Sequence, residues 1–236
     1  MKYLAVIFDL FGTLAGNFSL QGYNDALGQM ASALSLPSDD FRQVWFTTSK
    51  GRSTVPSQSC ETDVEYICRE LGALPDKSQI QLAAKSRLDY IRQVMMPQTD
   101  AIETLLSLKE AGYKIALLSN CSHEIPVVWT ETSFAPLVDV TIFSCSVGMR
   151  KPDPGIYQLT TERLGVRPGE CIFVGDGGSE ELSGALNVGM YPVLIRPDGD
   201  STEPHLMKRE QWNGPTISSL KDALVLLRDG GGSGTT

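Results

Sequence analysis

Short apolar runs that end at polar or glycine-rich turns recur along this chain. Continuous apolar runs of this length suit parallel strands that are buried on both faces of a sheet. The pattern therefore predicts buried strands at residues 4–8, 115–118, 140–143, 172–174 and 191–195, of which the run at 140–143 is the weakest.

Segments with apolar residues at helical spacing lie between the runs in the second half of the chain. They cover residues 99–111, 154–164 and 179–188, and a glycine follows each of them. Glycine commonly terminates a helix because it adopts the left-handed conformation without strain. Repeated strand, helix, glycine and strand predict an α/β fold with a doubly wound, mainly parallel, Rossmann-like sheet core.

The region from residue 15 to residue 94 has helical periodicity but no convincing buried strand. Its predicted helices cover residues 20–34, 39–46, 62–71 and 77–94, and a loop covers residues 49–59. We therefore expect an inserted α-helical cap at residues 15–94 and a core formed by residues 1–14 and 95–229. Residues 230–236 consist of Gly, Ser and Thr, which predicts a flexible tail.

Composition narrows the classes of partner. The chain of 236 residues has 20 basic and 28 acidic residues, so there is no electrostatic reason to expect nucleic-acid binding. The first apolar run is too short to span a membrane. Five scattered cysteines without a CxxC pair indicate reduced thiols rather than disulfides or a zinc site. We expect a cytoplasmic protein with no membrane partner, as a monomer or a weak homodimer.

Polar residues follow the predicted strands. Ligands of open α/β sheets bind outside the carboxyl ends of the strands, so these residues are the first candidates for chemistry. They are Asp9 after the first strand, Ser119-Asn120 after the second, Lys151-Pro152 after the third, and Gly175-Asp176 with Glu181 after the fourth.

Four segments carry this set: IFDLFGTL, LLSN, SVGMRKPDPGIY and VGDGGSEELSGALNVGM. In them the chain resembles the haloacid dehalogenase-like hydrolase superfamily, in the branch whose helical cap follows the first motif, from about residue 1 to residue 228. The order and spacing of four motifs around a cap-sized insertion make the resemblance specific. It implies magnesium-dependent hydrolysis of a small phosphorylated substrate through an aspartyl-phosphate.

The resemblance implies that Asp9 is the nucleophile and that Asp9 and Asp176 bind Mg²⁺, a cation that prefers oxygen ligands. It adds the backbone carbonyl of Phe11 as a metal ligand. Glu181 stands five residues after Asp176, where the family commonly has an aspartate that binds the metal directly or through water. The alternative for Glu181 is a solvated charge in the first turn of a helix.

The remaining motif residues are expected at the phosphate. Ser119 is expected to act in catalysis and Asn120 in substrate binding, since both offer hydrogen-bond donors to phosphate oxygens. Lys151 stabilises the negative transition state and keeps Asp9 ionised. Gly12 lets the backbone turn tightly beside the phosphate.

One position departs from the pattern of the family. Its phosphatases carry a second aspartate two residues after the nucleophile, which protonates the leaving alcohol and then activates water, whereas this chain has Phe11. General acid–base groups contribute a factor of about 10²–10⁴. A fast general phosphatase is therefore not expected. His123, four residues beyond Ser119, is a candidate replacement; a capping or surface residue is the alternative.

Three hypotheses remain open. The first is a slow or specialised magnesium-dependent phosphatase, which the retained Asp176 favours. The second is a 2-haloacid dehalogenase, since those enzymes carry an aromatic residue at the position of Phe11. The third is a catalytically impaired protein that binds a phosphorylated ligand or serves as a scaffold.

The predicted loop at residues 49–59 contains the most polar cap residues that can reach the nucleophile. Lys50 and Arg52 are expected to bind a second anionic group of the substrate. Basic residues solvated in a loop are the alternative.

Overall fold

The computed structural model describes residues 2–16, 19–56, 59–196 and 209–228. The strands of these residues are β1 (Ala5–Phe8), β2 (Lys114–Ser119), β3 (Val140–Phe143), β4 (Cys171–Gly175), β5 (Tyr191–Ile195) and β6 (Thr216–Ile217). They form one sheet in the order β3-β2-β1-β4-β5-β6, and every pairing is parallel. The predicted α/β fold class is confirmed, with a wholly parallel sheet in the described residues.

Within the described ranges, six helices lie between β1 and β2, and helices alternate with strands in the second half of the chain. The helices are α1 (Leu20–Ala33), α2 (Ser38–Thr47), α3 (Ser49–Arg52), α4 (Cys60–Glu70), α5 (Lys77–Val94), α6 (Ala101–Glu110), α7 (Glu124–Trp129), α8 (Ser144–Val147), α9 (Pro154–Leu164), α10 (Glu181–Asn187) and α11 (Asp222–Arg228). None of the helices in the described part of the chain is long and apolar enough to cross a membrane.

The sheet has an apolar core on each face. Because successive side chains of a strand point to opposite faces, Val6 and Phe8 of β1 join one core while Ala5 and Ile7 join the other. Residues of α6 and α11 belong to the first core, and residues of α9 and α10 belong to the second. Burial on both faces explains why β1 is apolar throughout rather than alternating.

Helices α1, α2, α4 and α5 build a third apolar core of their own, in which Phe41 stacks on Trp45 with ring centroids 5.9 Å apart. Helix α5 also contributes Ile91 and Val94 to a core of the sheet. This arrangement ties the helical region to the sheet beneath it. The boundaries of the cap at residues 15 and 94 stay a prediction.

Short elements are where the sequence prediction fails. Helix α3 lies in the segment that was expected to be a loop, and α7, α8, α11 and β6 had no predicted counterpart. Elements of this length span too few turns or alternations to show a period. The predicted tail lies outside the described residues. All five cysteines are free and buried, as the composition indicated.

Candidate active site

The motif residues meet at the carboxyl edge of the sheet. Asp9 and Asp176 directly follow the adjacent strands β1 and β4, and Ser119 ends β2 on the other side of β1. Lys151 comes from the loop that precedes α9. These four residues, together with Glu181, line one cavity of about 550 Å³. Its opposite wall belongs to the cap helices.

Lys151 joins two carboxylates at the base of the cavity. Its Nζ lies 2.5 Å from Asp9 Oδ1 and 2.5 Å from Glu181 Oε2. The side chains of Lys151 and Glu181 are each 2% exposed, so water does not screen the pair. Glu181 is therefore a component of the site rather than a solvated charge at a helix start.

Glycine is required at two positions because side-chain oxygens pass close to the backbone. A Cβ on Gly175 would lie 2.2 Å from Glu181 Oε1, which accepts a hydrogen bond of 3.0 Å from Gly177 N. A Cβ on Gly12, where φ is +79°, would lie 2.6 Å from Asp176 Oδ2. Both glycines let the carboxylates fold back toward Asp9.

Asn120 positions Lys151. Its Nδ2 donates to the carbonyl of Lys151 at 3.0 Å, and its Oδ1 accepts from the backbone N–H of Lys151 at 2.8 Å. The amide expected at the substrate thus holds the lysine-bearing loop against β2, while Asn120 still lines the cavity. Its role in substrate binding stays a prediction.

Burial and neighbouring charges shift the pKa values of the ionisable groups at the base of the cavity. Burial alone would lower the pKa of Lys151, but Asp9 and Glu181 raise it above its usual value, so the ammonium stays charged. Burial raises the pKa of Asp9 against the opposing charge of Lys151. Burial and the charge of Asp9 raise the pKa of Glu181 well above its usual value. Burial and the neighbouring carboxyl groups thus favour protonation of Asp9 and Glu181, whereas Lys151 opposes it.

Asp9, Asp176 and Glu181 offer carboxylate oxygens that lie within 4.8 Å of one another. All three residues are buried. Converging carboxylate oxygens suit a hard divalent cation such as Mg²⁺, and its charge would favour their ionised forms. The donor set therefore fits the predicted metal. The part expected of the Phe11 carbonyl stays a prediction.

Two residues near the end of the chain join the site without a motif to indicate them. Arg209 Nη2 lies 3.2 Å from Asp176 Oδ2. The carboxylate of Glu210 accepts hydrogen bonds from the backbone N–H groups of Leu182 and Ser183, at 2.6 and 3.1 Å, in the first turn of α10. A carboxylate is favourable there because it pairs with unbonded N–H groups.

Phe11 is partly buried and lines the cavity beside Asp9. Its ring joins an apolar wall that includes Ile91 and Val94 of α5 and Ile125 of α7. A phenyl ring has no proton to donate or accept, so no acid–base group stands at this position.

His123 does not replace that group. It is not among the residues that line the cavity; its Nδ1 lies 3.0 Å from Asp63 Oδ2 and its Nε2 lies 2.8 Å from Val55 O. Both ring nitrogens are thus occupied by cap residues. The histidine bridges core and cap, which the candidate role as a catalytic acid did not anticipate.

The two basic residues that were predicted to bind an anionic group lie in different environments. Arg52 is 5% exposed and lines the cavity, whereas Lys50 is exposed on α3 and does not line it. The structure adds Arg87 of α5, which is 5% exposed, lines the cavity and pairs with Glu124. Arg87 lies in a helical segment with no motif, so no sequence pattern indicates that it lines the cavity.

Known proteins resemble this chain in sequence. A family model described as haloacid dehalogenase-like hydrolase matches residues 3–189. The (S)-2-haloacid dehalogenase 4A of Burkholderia cepacia is 30% identical over 203 residues, which cover 84% of this chain and 85% of that protein. The glyceraldehyde 3-phosphate phosphatase of Methanopyrus kandleri is 29% identical over 133 residues, which cover 56% of this chain and 57% of that protein.

Solved structures share the fold. The crystal structure of a HAD phosphatase from Thermococcus onnurineus superposes with a TM-score of 0.65 at 24% identity, covering 94% of this chain and 97% of the other. Relatives in sequence thus include both a dehalogenase and a phosphatase.

Proposed function

The chain belongs to the haloacid dehalogenase-like hydrolases, and within this family we propose that it is a magnesium-dependent phosphatase of small phosphorylated molecules. The observation that carries the proposal is the convergence of Asp9, Asp176 and Glu181 within 4.8 Å. A third buried carboxylate at Asp176 has no use in a reaction whose only requirement is a nucleophile, but it suits a cation that receives a phosphoryl group.

The chemistry proceeds on Asp9. A carboxylate oxygen of Asp9 attacks the phosphorus, a P–O bond to Asp9 forms, and the bond to the leaving oxygen breaks with its electron pair. Water then attacks the same phosphorus, which releases phosphate and restores the carboxylate. Mg²⁺ held by Asp9 and Asp176, with Glu181 beside them, would neutralise the phosphoryl oxygens and hold them in line.

Other residues support both steps. Lys151 remains a cation beside Asp9 and balances the charge that develops on the phosphoryl oxygens. Ser119, which is 2% exposed and lines the cavity, offers its hydroxyl to one of those oxygens. The Glu181 carboxylate keeps the ammonium of Lys151 directed at the reacting centre.

Phe11 restricts the substrates. The leaving oxygen must take its proton from water, since no acid stands at residue 11. Substrates whose leaving group is a stable anion, such as a phenolate, are therefore favoured over simple alkyl esters. We propose a slow or specialised enzyme for this reason, acting as a monomer or weak homodimer in the cytoplasm.

A 2-haloacid dehalogenase is the second candidate. It is favoured by Phe11, because halide leaves without a proton, and by the similarity to the dehalogenase of Burkholderia cepacia. Asp176 weighs against it, since a carboxylate beside Asp9 repels the carboxylate of a haloacid unless a cation separates them.

Assays of phosphate release and of chloride release distinguish the phosphatase from the dehalogenase. We expect phosphate release from 4-nitrophenyl phosphate with Mg²⁺, none in EDTA, and loss of at least 10³-fold in Asp9→Asn. Asp40→Asn, an exposed carboxylate of α2, is the matched control and should keep full activity. An unaffected rate in Asp9→Asn would exclude Asp9 as the nucleophile.

Chloride release from 2-chloropropionate in EDTA would instead establish the dehalogenase. Stabilisation by phosphorylated ligands without any turnover would establish the catalytically impaired protein.

A further inference from the structure

Two buried arginines lie on the cap side of the cavity. Each of them has one N–H group that forms no hydrogen bond with the described part of the chain. Arg87 Nη1 and Arg52 Nε are buried without a hydrogen-bond partner among the described residues. Arg52 Nε lies 4.0 Å from Asp63 Oδ2, beyond hydrogen-bond distance. A buried N–H group without a partner is destabilising, so a ligand that accepts hydrogen bonds from these two groups would bind more tightly.

The rest of each guanidinium is fixed. Nε and Nη2 of Arg87 both lie 2.7 Å from Glu124 Oε1. Arg52 Nη1 donates to the carbonyl of Trp45 at 2.9 Å and to the hydroxyl of Thr48. These contacts orient the two cations before any ligand arrives, which reduces the entropic cost of binding.

The charges around the two arginines do not balance. The neighbouring carboxylates are Asp63 and Glu124, whose charges act against burial to raise the pKa values of the arginines: both act on Arg52, and Glu124 acts on Arg87. Val55 O can only accept a hydrogen bond, so His123 Nε2 carries a proton. One further proton lies between His123 Nδ1 and Asp63 Oδ2, and this pair is neutral whichever residue holds it. Two arginines therefore face one remaining carboxylate, Glu124, and one negative charge is missing.

Aromatic side chains form part of the lining of the cavity that this cluster shares with Asp9. Aromatic rings of Tyr23, Trp45 and Phe46 line the cavity on the cap side, and Phe11 lines it beside the nucleophile. Arg52 lies over the ring of Trp45, with Cζ 4.1 Å from the centroid. An occupant with a polar group at each end and an apolar or aromatic body between them matches this lining.

We propose that Arg52 and Arg87 form a carboxylate subsite, and that the substrate is a phosphate ester of a small hydroxy carboxylic acid with an apolar or aromatic body. The assignment rests on the proposed phosphatase function for the phosphate end only. A single carboxylate supplies the one negative charge that is missing. A second phosphate would bring up to two negative charges, one of which would be buried without a compensating cation.

Binding without turnover tests the subsite. The probes are 3-phenylpropionate and 3-phenylpropionamide, which have the same shape and differ in charge, and calorimetry measures their dissociation constants with the full chain. We expect the carboxylate to bind at least tenfold more tightly than the amide. Equal affinities, or tighter binding of the amide, would overturn the proposal without requiring any variant.

Variants then locate the site. Arg87→Lys keeps a cation beside Glu124 but removes Nη1, and should weaken 3-phenylpropionate binding about tenfold while leaving the amide unchanged. Arg52→Gln should do the same. Arg42→Gln is the matched control, since Arg42 is a cap cation of α2 that pairs with Asp39 on the same helix. Full carboxylate affinity in both cavity variants, or equal weakening in the control, would overturn the assignment.

Turnover links the subsite to the reaction. 4-(Carboxymethyl)phenyl phosphate should exceed phenyl phosphate in kcat/KM at least tenfold, and Arg87→Lys should remove that preference. If neither ester is hydrolysed while 3-phenylpropionate still binds through Arg87, the phosphatase proposal fails and the carboxylate subsite stands. If both are hydrolysed equally, the subsite fails and the phosphatase stands.

Discussion

Phe11 limits the rate of the proposed reaction. It lines the cavity beside Asp9 and cannot transfer a proton. Asp9, Lys151, Asp176 and Glu181 are in place around it. In the proposed reaction the site thus has Asp9 as nucleophile, Lys151 as its charge partner and carboxylates for a metal ion, but nothing at residue 11 to protonate the leaving group.

Restoring an acid at this position should raise turnover. In Phe11→Asp we expect kcat on alkyl phosphate monoesters to rise by roughly 10²-fold, the lower range for a general acid. Phe11→Asn is the matched control, because asparagine has nearly the size of aspartate but cannot act as a general acid. This variant should give no gain in kcat. Equal rates in both variants would indicate that the pocket itself excludes such substrates.

Gly175 determines the position of Glu181. A methyl group in Gly175→Ala would meet Glu181 Oε1 at 2.2 Å, so the carboxylate must move away from Lys151. We expect kcat to fall at least tenfold with the circular dichroism spectrum unchanged. Gly28→Ala in α1, where a Cβ meets nothing closer than 3.7 Å, should leave kcat unchanged, since alanine suits a helix. An active Gly175→Ala would show that Glu181 is dispensable.

At the scale of elements, a hydrogen-bonded bridge joins core and cap. His123, just before α7, contacts Asp63 of α4 and the carbonyl of Val55 in the segment after α3. Burial alone would lower the pKa of His123, but the hydrogen bonds to Asp63 and Val55 raise it above its usual value. The groups that face it are Asp63, Cys145 and, through Asp63, Arg52.

This bridge makes cap docking depend on pH. A folded-state pKa above that of the unfolded chain, about 6.5, contributes stability that is present below pH 6.5 and is lost as pH rises through the folded-state value. The free energy of unfolding of the unmodified protein should therefore exceed that of the His123→Asn variant, by the largest amount at about pH 6 and by less at pH 9. Urea denaturation of both proteins across this pH range measures the difference. A difference that is constant, or that grows with pH, would contradict a protonated bridge.

Over the full fold, the proposed cation site would join residues from distant segments of the chain. Asp9 follows β1, Asp176 follows β4 and Glu181 begins α10. A ligand that binds only the folded chain stabilises it, by about 2.7 kcal/mol at one hundred times its dissociation constant. Binding at this edge therefore acts on the stability of the complete fold.

Magnesium should raise the melting temperature. At saturating Mg²⁺ we expect an increase of about 5–10 °C, from the size of the chain, and EDTA should reverse it. Asp176→Asn should lose most of the increase, whereas Glu180→Gln, an exposed neighbour, should keep it. The same increase in Asp176→Asn would exclude Asp176 as a ligand.

The sequence by itself determined the sheet core and the motif residues at its edge. Apolar runs such as Ala5–Phe8 can only be buried on both sides, and parallel strands bring Asp9 and Asp176 to one edge whatever the details of packing. Such features depend on the apolar pattern of each strand and on the turn that follows it, which a short window of sequence encodes. The helix at Lys77–Val94 was predictable for the same reason.

Only the tertiary structure decided the partners of the buried charges. Arg87 meets Glu124 across 37 positions of sequence, His123 meets Asp63 across 60, and Arg209 reaches Asp176 across 33. Nothing local distinguishes these residues from solvated charges, because their environment forms only when distant segments of the chain pack together. That packing turned His123 from a candidate acid into a bridge, removed Lys50 from the cavity, and placed Arg52 and Arg87 opposite Asp9.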